Sequence, residues 1–185
     1  DKLAASVSVL TEEDIQAAGA TQLTDLLRGM PGVSLSQSGS PGSLTELRLR
    51  GSETNHLLVL IDGVIVNDLS QGGLVDFAHL TADNIARVEL LRGAQSALWG
   101  SGAVSGVLSI TTKAGSESND NTSLSAGIGN ASTYRASVST QQSLDNLSVS
   151  LYANHFNTDG DNVSRSGGED DGYRNTTAGF GVNWQ

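Results

Sequence analysis

Between Asp159 and Asp171 the chain gathers five carboxylates, Asp159, Asp161, Glu169, Asp170 and Asp171. They fall in two short runs, Asp159-Gly160-Asp161-Asn162 and Glu169-Asp170-Asp171-Gly172. Calcium takes about six to eight oxygen ligands from flexible acid-rich loops, so the two runs converging on one ion would make a calcium site. The spacing is not that of an EF-hand, and a solvated acidic surface loop has the same composition. Arg50 and Arg92 each precede a glycine at the end of an apolar run, and Glu89 lies close to Arg92 in sequence. The planar fork of arginine holds a carboxylate through two parallel bonds, a strong but breakable lock that Glu89 would complete. Surface charges at strand ends are the plain alternative.

Other chemistries find little support. Gly93, Gly100, Gly102 and Gly106 invite a nucleotide-loop reading, but Gly-x-Gly-x-x-x-Gly misses the dinucleotide fingerprint by one residue, and no Lys-Ser/Thr follows. Tight turns account for these glycines better. His56, His79 and His155 have no ligand spacing among them, and no Ser-His-Asp arrangement or apolar carboxylate pair is visible, so no enzyme activity is expected. The absence of cysteine removes disulfides, thiolate zinc sites and thiol catalysis. A net charge of −10 with ten scattered basic residues argues against nucleic acid as a partner.

The elements that position these residues change character near residue 115. Before it, Thr11 reads as the N-cap of a helix with acids in its first turn, and Gly19 stops that helix. Thr21 is expected to cap a second helix with Leu23, Leu26 and Leu27 on one face, ended by Gly29 and Pro31. Strand-like runs follow at 47–50, 57–66, 86–91 and 107–112. Asp62-Gly63 between two apolar halves is a strong hairpin signal. Helices interleaved with short strands give an α+β domain of roughly 110 residues.

After it, the pattern settles into a period of two. Leu124, Ala126 and Ile128 alternate with serines and glycines, as do Ala136 and Val138 with Arg135, Ser137 and Ser139. Leu147, Val149, Leu151 and Ala153 follow, then Thr176, Ala178, Phe180, Val182 and Trp184. Four such segments of roughly ten residues match a transmembrane β-barrel, with Tyr134, Phe156 and Trp184 near segment ends where an aromatic girdle would lie. A soluble antiparallel meander alternates in the same way. The tight turn at 144–146 and the long polar connection at 157–173 suit a barrel with short turns on one side and long loops on the other. No apolar run reaches the roughly 18 residues of a spanning helix.

The first 115 residues resemble the plug domain of TonB-dependent outer-membrane receptors, through five motifs in order. Leu26-Leu27-Arg28-Gly29-Met30-Pro31-Gly32-Val33 is similar to the family's LRxxPGV segment, and Leu47-Arg48-Leu49-Arg50-Gly51 to its IRG strand end. The run from Leu57 to Val64 resembles VLVLIDGV, and Arg87 to Gly93 resembles RVEVLRG. Ser96 to Ala103 with Gly106 to Ile110 resembles SALYGSGAxGGVINI. Ala94 stands where the family usually has Pro, Trp99 replaces Tyr, and Ser105 and Ser109 replace Gly and Asn. Beyond residue 115, Ser139-Thr140-Gln141-Gln142 and the acidic loop are similar in layout to the cobalamin (vitamin B12) transporter of that family.

The resemblance implies an α+β plug domain with a small mixed sheet and short helices over residues 1–115. It implies that residues 116–185 are the first about four antiparallel strands of an incomplete transmembrane β-barrel. It further implies residence in the bacterial outer membrane, contact with lipid, and uptake of a small ligand such as cobalamin or a ferric siderophore. The driving partner would be the TonB complex of the inner membrane, acting through a segment upstream of this chain, with residues 1–10 as the first plug strand. Arg50, Arg92 and Glu89 become a plug–barrel lock facing glutamates beyond Gln185, and the loops at 36–45 and 67–76 become ligand-contacting apex loops, with Gln37, Ser40 and Asn67 as contacts. No cofactor is required, calcium in the acidic loop being the one candidate. Since four strands cannot close a barrel, the chain is expected to be a fragment, with open strand edges prone to aggregation. The rival reading is a soluble periplasmic ligand-binding or interaction module whose tail is a β-sandwich.

Overall fold

The computed structural model describes residues 6–114, 120–144, 146–162, 167–168 and 170–184. The chain divides into two compact units, Asp1–Ser36 with Thr45–Thr112, and Gln37–Leu44 with Lys113–Gln185.

The first unit opens with β1 (Ser6–Leu10) and α1 (Glu12–Ala18). Thr11 caps α1 as its sequence implies: its hydroxyl accepts from the Asp14 amide at 3.3 Å, and the Asp14 carboxylate accepts from the Thr11 amide at 2.9 Å. Gly19 ends the helix in the left-handed region. The cap of α2 (Leu23–Arg28) differs from expectation, for Gln22 occupies it. Thr21 is held elsewhere, its carbonyl accepting from the Ala82 amide at 3.0 Å beside a β-bridge from Gln22 to Thr81. A tertiary contact thus claims the backbone that a local rule assigned to the helix start.

Next come β2 (Val33–Gln37) and β3 (Thr45–Leu49), which form a separate two-stranded sheet. The run expected at 47–50 stops at Leu49 because Arg50 turns into the left-handed region at φ 53°. Next, β4 (Leu57–Ile61) and β5 (Val64–Ile65) make the expected hairpin, pairing Ile61 with Val64 around Asp62 and Gly63 at φ 49° and 79°. Positive φ at both central residues is the turn type that matches strand twist. After them run β6 (Ile85–Arg92), α3 (Ser96–Trp99) and β7 (Gly106–Thr112).

The five-stranded sheet has the order β1-β6-β7-β4-β5, with β4 and β7 parallel and the other pairs antiparallel. Its centre is apolar on both faces. Leu57, Val59, Val88, Leu90, Leu108 and Ile110 pack with α1 and α2 through Ile15, Leu23 and Leu27, while Leu58, Leu60 and Val107 pack with Ala103 on the other side. Gly106 cannot be larger, since a β-carbon there would collide with the Leu91 carbonyl oxygen and Leu49 Cδ2. That close approach, together with the turn at Gly93, answers the nucleotide-loop question: these glycines shape backbone.

The second unit is an antiparallel meander of β8 (Asn121–Ile128), β9 (Tyr134–Leu144), β10 (Leu147–Thr158) and β11 (Tyr173–Trp184), in the order β11-β10-β9-β8. Register keeps the apolar positions together. Leu124 faces Val138, Val138 faces Ala153, Ala153 faces Ala178, and Leu151 faces Phe180. This apolar face is the exposed one, with Leu124 at 81%, Ile128 at 95% and Phe180 at 77%. Ser150 and Asn154 on the opposite, polar face are buried. Hydroxyl pairs stitch that polar face, Ser123 to Ser139 and Ser125 to Ser137, each at 2.7 Å. Tyr134 and Trp184 lie on the apolar face at opposite strand ends, as a girdle requires. Phe156 does not: it shares the polar face with Asn154 and packs its ring 6.0 Å from that of Tyr173. No helix among the described residues is long and apolar enough to cross a membrane, which leaves strand crossing untouched.

Candidate functional site

Arg92 ends β6 with its side chain only 4% exposed. Each of its three guanidinium nitrogens donates within the plug. Nε donates to the Pro31 carbonyl at 2.8 Å, Nη2 to Ser8 Oγ at 2.8 Å and Nη1 to Ser6 Oγ at 3.4 Å. Alternation along β6 explains the burial, since Val88, Leu90 and Arg92 share the core face. Burial first, and then the like charge of Arg50, lower the Arg92 pKa from its ordinary value. An arginine stays charged even so.

Arg50 is exposed, with its amide donating to the Gly32 carbonyl at 2.7 Å. The Arg50 side chain packs beside Gly32, next to the Pro31 whose carbonyl holds Arg92, so the two cations share one neighbourhood. Glu89 is not brought to them. Three residues along a strand reverses the face, so Glu89 projects opposite Arg92 and binds Arg87 Nη2 at 2.6 Å and Nε at 2.9 Å. Among the described residues Arg92 therefore has no carboxylate partner, and the two cations present an unneutralised pair.

The expected ligand contacts separate into two kinds. Asn67 is occupied by backbone: Oδ1 accepts from the Val59 amide at 2.8 Å, while Nδ2 donates to the Leu57 carbonyl at 2.9 Å and the Gly73 carbonyl at 3.0 Å. It works as an extra strand rung that fixes the loop after β5. Gln37 and Ser40 belong to the other unit and bond to each other, Gln37 Nε2 donating to the Ser40 carbonyl at 2.9 Å. In the same segment Gly42, at φ 87°, lies so close to the Tyr173 ring that a β-carbon would overlap it.

In the acidic loop, Glu169 lies outside the described residues. The neck of the loop is closed, with Gly160 packed against the Asp171 backbone and Gly172 against the carbonyls of Thr158 and Asp159. Asn162 Nδ2 donates to the Gly167 carbonyl at 2.7 Å. Among the described residues no group of three or more histidines or acids is placed to hold a metal ion. His79 Nε2 comes within 4.0 Å of Asp76 and His155 Nδ1 within 2.6 Å of Thr176 Oγ1, two unrelated places.

Sequence reasoning missed Ser6, Ser8 and the Pro31 carbonyl as partners of Arg92. The alternation of Ser6 and Ser8 marks one strand face, but nothing local says what that face meets. It also missed Asp62, whose carboxylate grips Thr112 across the sheet.

Residues 1–107 match the family model described as TonB-dependent Receptor Plug Domain. Among solved structures, the ferric yersiniabactin uptake receptor FyuA from Yersinia pestis matches with a TM-score of 0.76 at 24% identity, over 96% of this chain and 28% of its own. The ferric enterobactin receptor PfeA from Pseudomonas aeruginosa, in a mutant form bound to enterobactin, matches with a TM-score of 0.70 at 29% identity, over 100% of this chain and 31% of its own. The siderophore receptor PirA from Pseudomonas aeruginosa gives 0.69 and 29%, over 100% of this chain and 33% of its own. This chain thus spans about a third of the length of the receptors it is similar to. With a plug-type sheet, reversed polarity in the following strands and a family match over residues 1–107, the chain belongs to the TonB-dependent receptors, as their plug domain and early barrel strands.

Proposed function

We propose that this chain is the gating part of an energy-coupled transporter that takes up a ferric siderophore, with cobalamin as the second ligand to be tested. The protein resides in the outer membrane. A single observation carries the membrane half of this reading. The four-stranded sheet exposes Leu124, Ile128, Leu151 and Phe180 while burying Ser150 and Asn154. Polar residues inside and apolar residues outside suit a lipid-facing wall around a hydrated lumen, the reverse of a soluble sandwich.

The gate is the plug, and the lock is the Arg50–Arg92 pair. Two neighbouring cations, one buried, favour carboxylates supplied from the inner wall of the barrel. Ligand at the outer side loosens this arrangement, and force from the inner-membrane TonB complex then rearranges the plug. A siderophore is favoured because similar receptors at 29% identity are siderophore receptors by description. No step of this reading depends on calcium.

A growth assay tests it. The full-length gene is expressed in a receptor-null strain and supplied with ferric siderophores or cobalamin one at a time. Growth on a siderophore that vanishes when TonB is deleted is the expected result. Growth on cobalamin alone would replace the ligand, and growth that persists without TonB would overturn the mechanism.

A further inference from the structure

Among the described residues the β1–β6 pairing begins with Ser6 opposite Arg92, so tension applied ahead of β1 would reach it there. Among the described residues β1 is the edge strand of its sheet beside β6, and its Val7 and Val9 are exposed. Little burial resists its detachment. What strengthens the rung is the Arg92 side chain, which crosses to Ser6 and Ser8 and is braced behind by the Pro31 carbonyl at the entry to β2.

We propose that Arg92 is a positioning residue that clamps the first strand of the plug to the base of the β2–β3 hairpin and so sets how readily β1 opens. The role is separate from a lock with the barrel wall. Among the described residues three of the five guanidinium N–H donors are bonded within the plug. The same arginine serves two attachments in this reading, one to β1 and one outward. A carboxylate drawn away from the outward side would leave the cation beside Arg50 less neutralised and free to shift. Such a shift stretches the serine bonds, which depend on fixed geometry. Arg50 joins this junction through its amide bond to Gly32, next to the bracing Pro31. The hairpin base, the cation pair and the first strand thus meet at one point.

The inference rests on the uptake reading for its purpose, but its test does not need transport. In the full-length receptor in detergent, amide hydrogen exchange is followed at 6–10 and at Gly106–Thr112. Serine-to-alanine changes at both Ser6 and Ser8 leave Arg92 and any outward lock in place. Two bonds to a charged donor are lost, so exchange at 6–10 is expected to rise about tenfold or more, with 106–112 unchanged. Arg92→Lys keeps the charge but cannot reach three acceptors, and is expected to raise exchange at the same amides. Exchange at 6–10 within about twofold of the parent in both variants would overturn the clamp. If the growth assay fails while the serine variants open β1, the clamp stands and the transport reading falls.

Discussion

Asp62 holds Thr112 with both carboxylate oxygens, Oδ1 accepting from the amide at 2.7 Å and Oδ2 from the hydroxyl at 2.7 Å. A turn residue of the β4–β5 hairpin therefore fastens the last residue of β7, the strand parallel to β4. Asp62→Ala removes both bonds and leaves an ordinary side chain at φ 49°, so the plug should lose about 2–3 kcal/mol. Asp62→Asn, which tolerates that backbone and keeps one acceptor, should lose about half as much. Denaturant midpoints of the full-length receptor, read through exchange at Thr111 and Thr112, check the ranking.

Asn67 should behave as a structural rung. Asn67→Ala strands the Val59 amide and the Leu57 carbonyl and is expected to destabilise the plug by about 2–3 kcal/mol. Asn67→Asp keeps the acceptor for Val59 but sets a carboxylate oxygen against the Leu57 and Gly73 carbonyls, so it should cost at least as much. Thermal unfolding without ligand separates this from a ligand contact, which would alter affinity and leave the empty receptor unchanged.

These two residues show what could be read from the chain alone. The Asp62-Gly63 turn was legible because its chemistry is local: flanking apolar halves and a pair that accepts positive φ. The same holds for the Thr11 cap and the Gly19 stop. Asn67 was read as a ligand contact because a polar residue in a Ser/Gly-rich loop looks alike whether it faces solvent or backbone. Arg92 stood out by its place before a glycine at a strand end, but its partners lie 61, 84 and 86 residues away and no periodicity points to them. Pairing it with Glu89 failed on strand geometry, since an offset of three reverses the face. Phe156 was put in the girdle on its place near a strand end, when the alternation in β10 already set it among the polar positions.

Gly42 and Tyr173 should be coupled. Gly42→Ala needs the ring to move and a β-carbon to accept φ 87°, so it should destabilise the segment. Combining it with Tyr173→Ala should relieve the steric part alone, giving a non-additive cycle of about 0.5–3 kcal/mol. An additive result would deny the contact.

Acid should loosen α1 through its cap. The Asp14 pKa is lowered, first by its backbone bond with Thr11 and then by the Thr11 hydroxyl. A carboxyl depressed in the folded state adds stability that is full above its ordinary value of 3.8 and is lost as pH falls through the lower folded value. Asp14→Asn should therefore flatten the stability profile below about pH 4 and leave its shape at neutral pH unchanged. Exchange at Glu12–Ala18 across that range reads it out.

The exposed face of the meander should be intolerant of charge. Leu151→Arg sits at mid-strand among Val138, Ala178 and Phe180 and should cost about 2–4 kcal/mol on refolding into phospholipid vesicles. Arginine at Ser137, on the opposite face, should escape that lipid penalty. Equal costs at both positions would contradict the assignment of the two faces.

The β1–β6 pairing also orders events in time. Ser6 precedes its partner Arg92 by 86 residues, so β1 is synthesised long before the strand that receives it. Closing so long a loop is entropically slow, and until β6 is in place β1 has no strand to join. β1 therefore takes its place in the sheet no earlier than β6 does.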